Sequence, residues 1–322
     1  MRVFFDPVAL RHDTGPHHPE NKERLAACVA GLENAGAEVS APESPARTLA
    51  SVEKVHAPGY VRRLSGTCAM SPPQARDRTF SLFDSPDNPI SRATFLASLR
   101  TAGLGLAAVD SVLAGGGPVF VSMRPPGHHA LAEEAMGFCF LNGVAIAARD
   151  LVESAGATRV LIADFDVHHG NGTQDIFWED GRVAYLSVHR SPFYPYSGAV
   201  DEEGEGKGRG TTRNVPIHGG ASEETYVGGF VAALESLSER FRPEFVLVSA
   251  GFDAHRSDPL GGMHVTEHGF FEMTRRLRDV ADVFAGGRVV SFLEGGYDPE
   301  ALAASAVAHL RALQGLPERA SD

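Results

Sequence analysis

Asp164-Phe165-Asp166-Val167-His168-His169-Gly170-Asn171-Gly172 sets two carboxylates and an imidazole at alternate positions directly after an apolar run, Arg159 to Ala163. That run reads as a buried strand. If the backbone stays extended beyond it, alternation with period two puts Asp164, Asp166 and His168 on one side. Two oxygen donors and a nitrogen donor converging at a strand end outline a metal site. An isolated Asp-x-His more often caps its own loop, so the metal reading requires partners from elsewhere in the chain.

Those partners follow other strand-like runs. Arg124-Pro125-Pro126-Gly127-His128-His129 comes after 118–122, Gly251-Phe252-Asp253-Ala254-His255 after 245–250, and Glu294-Gly295-Gly296-Tyr297 after 288–293. Sites in open parallel sheets form beyond the carboxyl ends of the strands, where these segments can meet. Asp166, His168 and Asp253 then offer two oxygens and one nitrogen with positions left open, which suits a catalytic Zn²⁺, with Fe²⁺ or Co²⁺ as alternatives. His128 and His129 beside a metal can move protons between a water and a leaving group. A carboxylate partner such as Asp164 raises one imidazole's pKa, whereas an amide such as Asn171 does not. Tyr297 can donate to a developing oxyanion. Three weaker patterns are set aside: His264 and His268 at helical metal spacing, His17-His18-Pro19-Glu20 as a pocket-rim segment, and the glycines at 204, 206, 208 and 210 as a surface loop.

The elements that must position these residues alternate. Strands are expected at 2–5, 118–122, 158–163, 183–188, 245–250 and 288–293, and helices at 20–34, 91–113, 141–154, 222–240, 266–284 and 299–314. Ser222 and Asp298-Pro299 read as helix caps. Continuous hydrophobicity in Val246-Leu247-Val248 implies strands covered on both faces, hence an α/β fold with an open, mostly parallel sheet flanked by helices. The Pro-, Ser- and Asp-rich stretch 67–90 and the Gly-rich 201–212 read as long loops, because the alternation resumes after each. One domain over 1–322 is expected, ending in a short flexible tail after about residue 315.

Composition narrows the partners. The 41 acidic against 29 basic residues give −12, which disfavours binding to nucleic-acid phosphates. Cys28, Cys68 and Cys139 lack a framework spacing, so a reducing cytoplasm is the expected compartment. Neither a signal peptide nor a membrane span is apparent in the sequence. Oligomeric state is not legible.

Taken in order, these motifs resemble the zinc-dependent histone deacetylase family, in particular its class II branch and the bacterial deacetylase-like and acetylpolyamine amidohydrolases. The likeness runs from His12-Asp13-Thr14-Gly15-Pro16 to Tyr297-Asp298. It implies the arginase/deacetylase-type fold, Asp166, His168 and Asp253 as ligands of one Zn²⁺, His128 and His129 as the tandem catalytic histidines, Asp164 behind His128, and Tyr297 as the carbonyl-polarising tyrosine. Asn171 in place of a second Asp is the class II pattern and makes His129 the better proton shuttle. The resemblance also implies a structural K⁺ near Asp164, Asp166, His168, Ser187 and Val188, and a second near Phe177 and Val183. Gly137, Phe138 and Tyr194 would line the substrate tunnel, Asp84 would be a rim acid holding a peptide backbone, and Leu260 stands where polyamine-selective relatives carry an acid.

The expected activity is hydrolysis of an acyl-lysine amide. An acylated small amine such as an acetylpolyamine is the nearest alternative, Leu260 and the lack of a longer early insertion weighing against it. A ureohydrolase would need a second metal where His128-His129 stand, and a non-catalytic acyl-lysine binding module would have no use for the proton machinery.

Overall fold

Val246-Leu247-Val248 lies in a strand whose six residues are all buried, as double coverage requires. The computed structural model describes residues 1–72 and 81–318. Its strands are β1 (Arg2–Phe4), β2 (Glu38–Ser40), β3 (Ser81–Phe83), β4 (Ser85–Ile90), β5 (Val119–Val121), β6 (Val160–Asp164), β7 (Val183–Arg190), β8 (Thr212–Ile217), β9 (Phe245–Ala250) and β10 (Val289–Leu293). Eight of them form one sheet in the order β2-β1-β5-β10-β9-β6-β7-β8, and every pairing in it is parallel. The remaining two, β3 and β4, form an antiparallel hairpin.

The helices are α1 (Lys22–Asn34), α2 (Thr48–Glu53), α3 (Pro58–Met70), α4 (Thr94–Leu113), α5 (Gly143–Glu153), α6 (Asn171–Ile176), α7 (Glu223–Phe241), α8 (Glu267–Phe284) and α9 (Pro299–Leu313). Helices α1, α9, α8 and α7 pack side by side in one group, and α2 to α5 in another. Both expected caps form: Ser222 accepts from Thr225 N at 3.3 Å and Asp298 from Ala301 N at 2.8 Å. Helix α4 is apolar and long enough to cross a membrane by composition, a test that a core helix also meets. Here it packs on β5, β10 and α5.

The six expected strands and six expected helices all form, with bounds shifted by a few residues. Several elements carry no strong sequence signal. β8 is an edge strand with a half-exposed, polar pattern, and α2 and α6 are six residues each. The stretch 67–90 holds the end of α3 and the β3–β4 hairpin as well as loop, and 73–80 of it lie outside the described residues. Residues 316–318 are tied down, through Pro317 O to Arg311 and Glu318 to His268 at 2.7 Å, and the rest of the expected tail falls outside the described residues.

One polar knot lies within the apolar core. Arg124 and Arg24 are fully buried and share the Glu20 carboxylate, Arg124 through Nε at 2.8 Å and Nη2 at 2.6 Å, Arg24 through Nη1 at 3.1 Å. Arg124 also donates to the carbonyls of Ala9 and His12, and Arg24 to those of Glu294 and Gly296. Glu20 therefore belongs to the core and not to a pocket rim, and Arg124 is a strut and not a chemical group. Burial favours the neutral acid, but Arg124 and Arg24 outweigh it and hold Glu20 down at about 2. Its pairing thus stabilises the fold above the ordinary carboxylate range and is lost as pH falls towards about 2. Glu20→Gln strands two buried guanidinium groups and should cost about 3–5 kcal/mol in urea unfolding at neutral pH. The deficit should shrink on acidification.

Candidate active site

The four strands that end in reactive residues are consecutive neighbours in the sheet, β5-β10-β9-β6. Their carboxyl ends are level, with Leu293 opposite Ala250 and Asp164 opposite Ser249. After β6, Phe165 and Val167 turn into the core, Phe165 meeting Phe230, Phe252 and Phe270, while Asp164, Asp166 and His168 face the other way. The alternation read from the sequence therefore continues past the strand.

His168 Nδ1 lies 3.0 Å from Asp166 Oδ1 and 3.1 Å from Asp253 Oδ2. One donor atom from each of the three falls within 4.8 Å of the others. Backbone amides fix the two carboxylates from behind, Val167 N to Asp253 Oδ1 and Gly295 N to Asp166 Oδ2, both at 2.8 Å. The approach requires glycine: a Cβ on Gly251 or Gly295 would sit about 2 Å from a carboxylate oxygen of Asp166 or Asp253. Burial and the charge of Asp166 push Asp253 up. Burial acts against charge on Asp166 too, but His128 and His168 outweigh it and hold that group down. Burial lowers His168, yet Asp166 and Asp253 bring it up to about 9. A buried nitrogen whose proton two carboxylates compete for is a donor set that fits a divalent cation in that proton's place.

The two adjacent histidines have different partners. His128 Nδ1–H donates to Asp164 Oδ2 at 3.1 Å, an oxygen that also accepts from the Tyr185 hydroxyl at 3.0 Å. Burial lowers His128, but Asp166 and Asp164 raise it to about 10. His129 Nδ1 meets Asn171 Oδ1 at 2.8 Å, and burial with the charges of His128 and His168 holds it well below the ordinary range. One imidazole is thus held charged and the other neutral, with its Nε2 lone pair free. The Tyr297 phenol is held well above its usual range by burial and by Asp253 and Asp166, so it remains a donor.

Three residues that sequence reasoning left without a role set this geometry. The Glu294 carboxylate accepts from Gly127 N at 2.7 Å and His128 N at 3.2 Å, joining the histidine segment to β10. Asp258 accepts from Tyr297 N at 2.7 Å and from Leu260 N and Gly261 N. Phe193 stacks on His168, with centroids 5.1 Å apart and planes 17° from parallel. Asp-Pro-x-Gly-Gly at 258–262 is a turn signal that could have pointed to Asp258. Nothing local marks Phe193.

The expected tunnel residues meet around the histidines. Gly137 and Phe138 both have positive φ, and the Phe138 ring lies 5.9 Å from Tyr297 and 4.6 Å from His18. Tyr194 stands edge-on to His129 at 5.3 Å, its hydroxyl buried without a hydrogen-bond partner among the described residues. Leu260 is partly exposed. Asp84 does not present a free rim acid: its carboxylate binds Arg63 and accepts from Ala135 N at 3.0 Å. Of the residues linked to potassium, the carbonyls of Asp166 and Val188 converge with that of Phe165 on the Tyr226 hydroxyl at 3.0–3.3 Å. Ser187 bonds His189, and Phe177 and Val183 are buried at the end of α6 and the start of β7. His264 and His268 join no ligand cluster among the described residues.

Comparison with known proteins gives a consistent answer. Residues 18–313 match the histone deacetylase domain. The rice protein "Histone deacetylase 10, chloroplastic" is 39% identical over 94% of this chain and 71% of its own length. The Pseudomonas aeruginosa "Histone deacetylase-like amidohydrolase" is 35% identical over 99% of this chain and 87% of its own. The crystal structure of an acetylpolyamine aminohydrolase from Burkholderia pseudomallei superposes with a TM-score of 0.85 at 31% identity, covering 98% of this chain and 99% of that one. That overlap removes chain length as an argument between the two substrate classes.

If the three donors hold one ion, Asp253→Asn should lower divalent-metal affinity by orders of magnitude while secondary structure by circular dichroism stays intact. Equilibrium dialysis with elemental analysis should give a stoichiometry near one for the unaltered protein.

Proposed function

The chain belongs to the histone deacetylase family, whose members hydrolyse acyl amides, and from that premise we propose that its substrate is an acylated lysine side chain. The observation that carries the assignment of roles is the unequal pairing of the two histidines, His128 with Asp164 and His129 with Asn171. Asp166, His168 and Asp253 would hold a Zn²⁺, which would supply Lewis acidity to the acyl carbonyl and to water. His129, neutral and anchored by Asn171, takes a proton at Nε2 as water attacks and returns it to the departing amine. His128, kept charged by Asp164 and Asp166, stabilises the negative charge that develops. The Tyr297 hydroxyl donates to the former carbonyl oxygen.

Phe138 and Tyr194 flank an aliphatic stem, and the fixed turn at 137–138 holds the first of these walls. Asp84 remains the rim acid of this reading, its carboxylate held in place by Arg63 and the Ala135 amide. Leu260 supplies no carboxylate for a distal ammonium, which favours lysine over a polyamine. The carbonyls converging on Tyr226 support a K⁺ site in that region, since one hydroxyl proton cannot satisfy three acceptors. Cys28, Cys68 and Cys139 are free and buried, in keeping with a reducing compartment such as the cytoplasm.

Tyr297→Phe should lower kcat on an acetyl-lysine peptide by about 10²–10³-fold with metal content unchanged. Full activity in that variant would exclude the donor role. In a turnover panel, kcat/KM for acetyl-lysine peptides should exceed that for acetylspermidine and acetylputrescine. The reverse order would assign the enzyme to polyamines.

A further inference from the structure

Arg190 ends β7 beside the site and enters no ion pair among the described residues. Its backbone N donates to Val167 O at 2.8 Å, next to the candidate ligand His168. Its guanidinium carbon stands 4.1 Å from the centroid of Phe193, whose ring lies stacked on the His168 imidazole. Guanidinium, phenyl and imidazole thus form one column. The same guanidinium donates from Nη1 to Gly261 O at 3.1 Å. Gly261 belongs to the turn in which Asp258 accepts from Tyr297 N.

The slot that admits Arg190 is shaped for it. A Cβ on Gly219 would lie 2.7 Å from its Nε, and one on Gly262 would lie 2.7 Å from its Nη1. A guanidinium placed over a ring gains from its quadrupole while its N–H groups still donate to carbonyls. Removing it would free Phe193 to tilt, and the 258–262 turn would lose its tie to β7.

We propose that Arg190 is a positioning residue for hydrolysis, fixing the orientation of His168 through Phe193 and that of Tyr297 through the Gly261 turn. This rests on the roles given above to His168 and Tyr297. An outer partner of a metal-ligating histidine typically changes metal affinity or activity by about 10–100-fold.

The test pairs Co²⁺ affinity, measured by chelator competition without substrate, with kcat and KM on an acetyl-lysine peptide. In Arg190→Ala, Co²⁺ affinity and kcat should each fall by about 10-fold or more, with KM changed far less. Arg190→Lys keeps the charge and the reach to Gly261 but not the plane, and should recover only part of the loss. Phe193→Leu should weaken Co²⁺ binding as well, and adding Arg190→Ala to it should cost little more, since both act through one column. Wild-type Co²⁺ affinity in Arg190→Ala, full rescue by Lys, or additive losses in the double variant would each overturn the proposal. The Co²⁺ readout stands even if acyl-lysine proves the wrong substrate, so the two failures are distinguishable.

Discussion

Buried negative charge is the constraint on which this structure turns. Asp164, Asp166, Asp253, Asp258 and Glu294 all lie buried at or beside the carboxyl ends of four adjacent strands. Carboxylates at such depth persist only where something compensates them. The fold supplies backbone amides from Val167, Gly295, Gly127 and Tyr297, and imidazoles from His128 and His168. What these leave unbalanced is centred between Asp166, His168 and Asp253, a donor set that fits a divalent ion. The geometry of the chemistry follows from that electrostatic requirement.

The same constraint separates the roles of two neighbouring histidines. The two rings lie side by side, 4.0 Å between centroids, and both are buried. Asp164 against Asn171 makes the difference: a carboxylate partner keeps His128 charged, and an amide leaves His129 neutral. A charged group and a proton acceptor side by side are what hydrolysis of an amide needs. The site obtains both from one residue type by varying only the second atom to which each ring is bonded.

A second layer fixes the first. The Arg124–Glu20–Arg24 knot ties the histidine segment to the N-terminal region and to the Glu294–Tyr297 segment, through carbonyls at Ala9, His12, Glu294 and Gly296. Rim and rear are therefore held by different chemistry. The rear depends on charge compensated inside the core, whereas Phe193, Phe138 and Tyr194 at the mouth depend on ring contacts.

The amino-acid sequence determined the parallel α/β class, the main strands and helices, and which reactive residues stand just beyond the strand ends. Those signals are local: continuous apolar runs, period-two spacing after β6, and reactive residues immediately beyond strand ends. Short or half-exposed elements such as β8, α2 and α6 carry too few buried positions for a periodic signal, and Pro58 and the polar faces of α3 hid that helix. The tertiary structure alone decided that Glu20 sits in the core, that Asp84 pairs with Arg63, and that Glu294, Asp258 and Phe193 support the site. Each of these depends on which groups meet across 21 to 167 positions of sequence, as with Arg63 and Asp84 or Gly127 and Glu294. A residue's type says what it can bond, but only the packed chain decides which partner reaches it first.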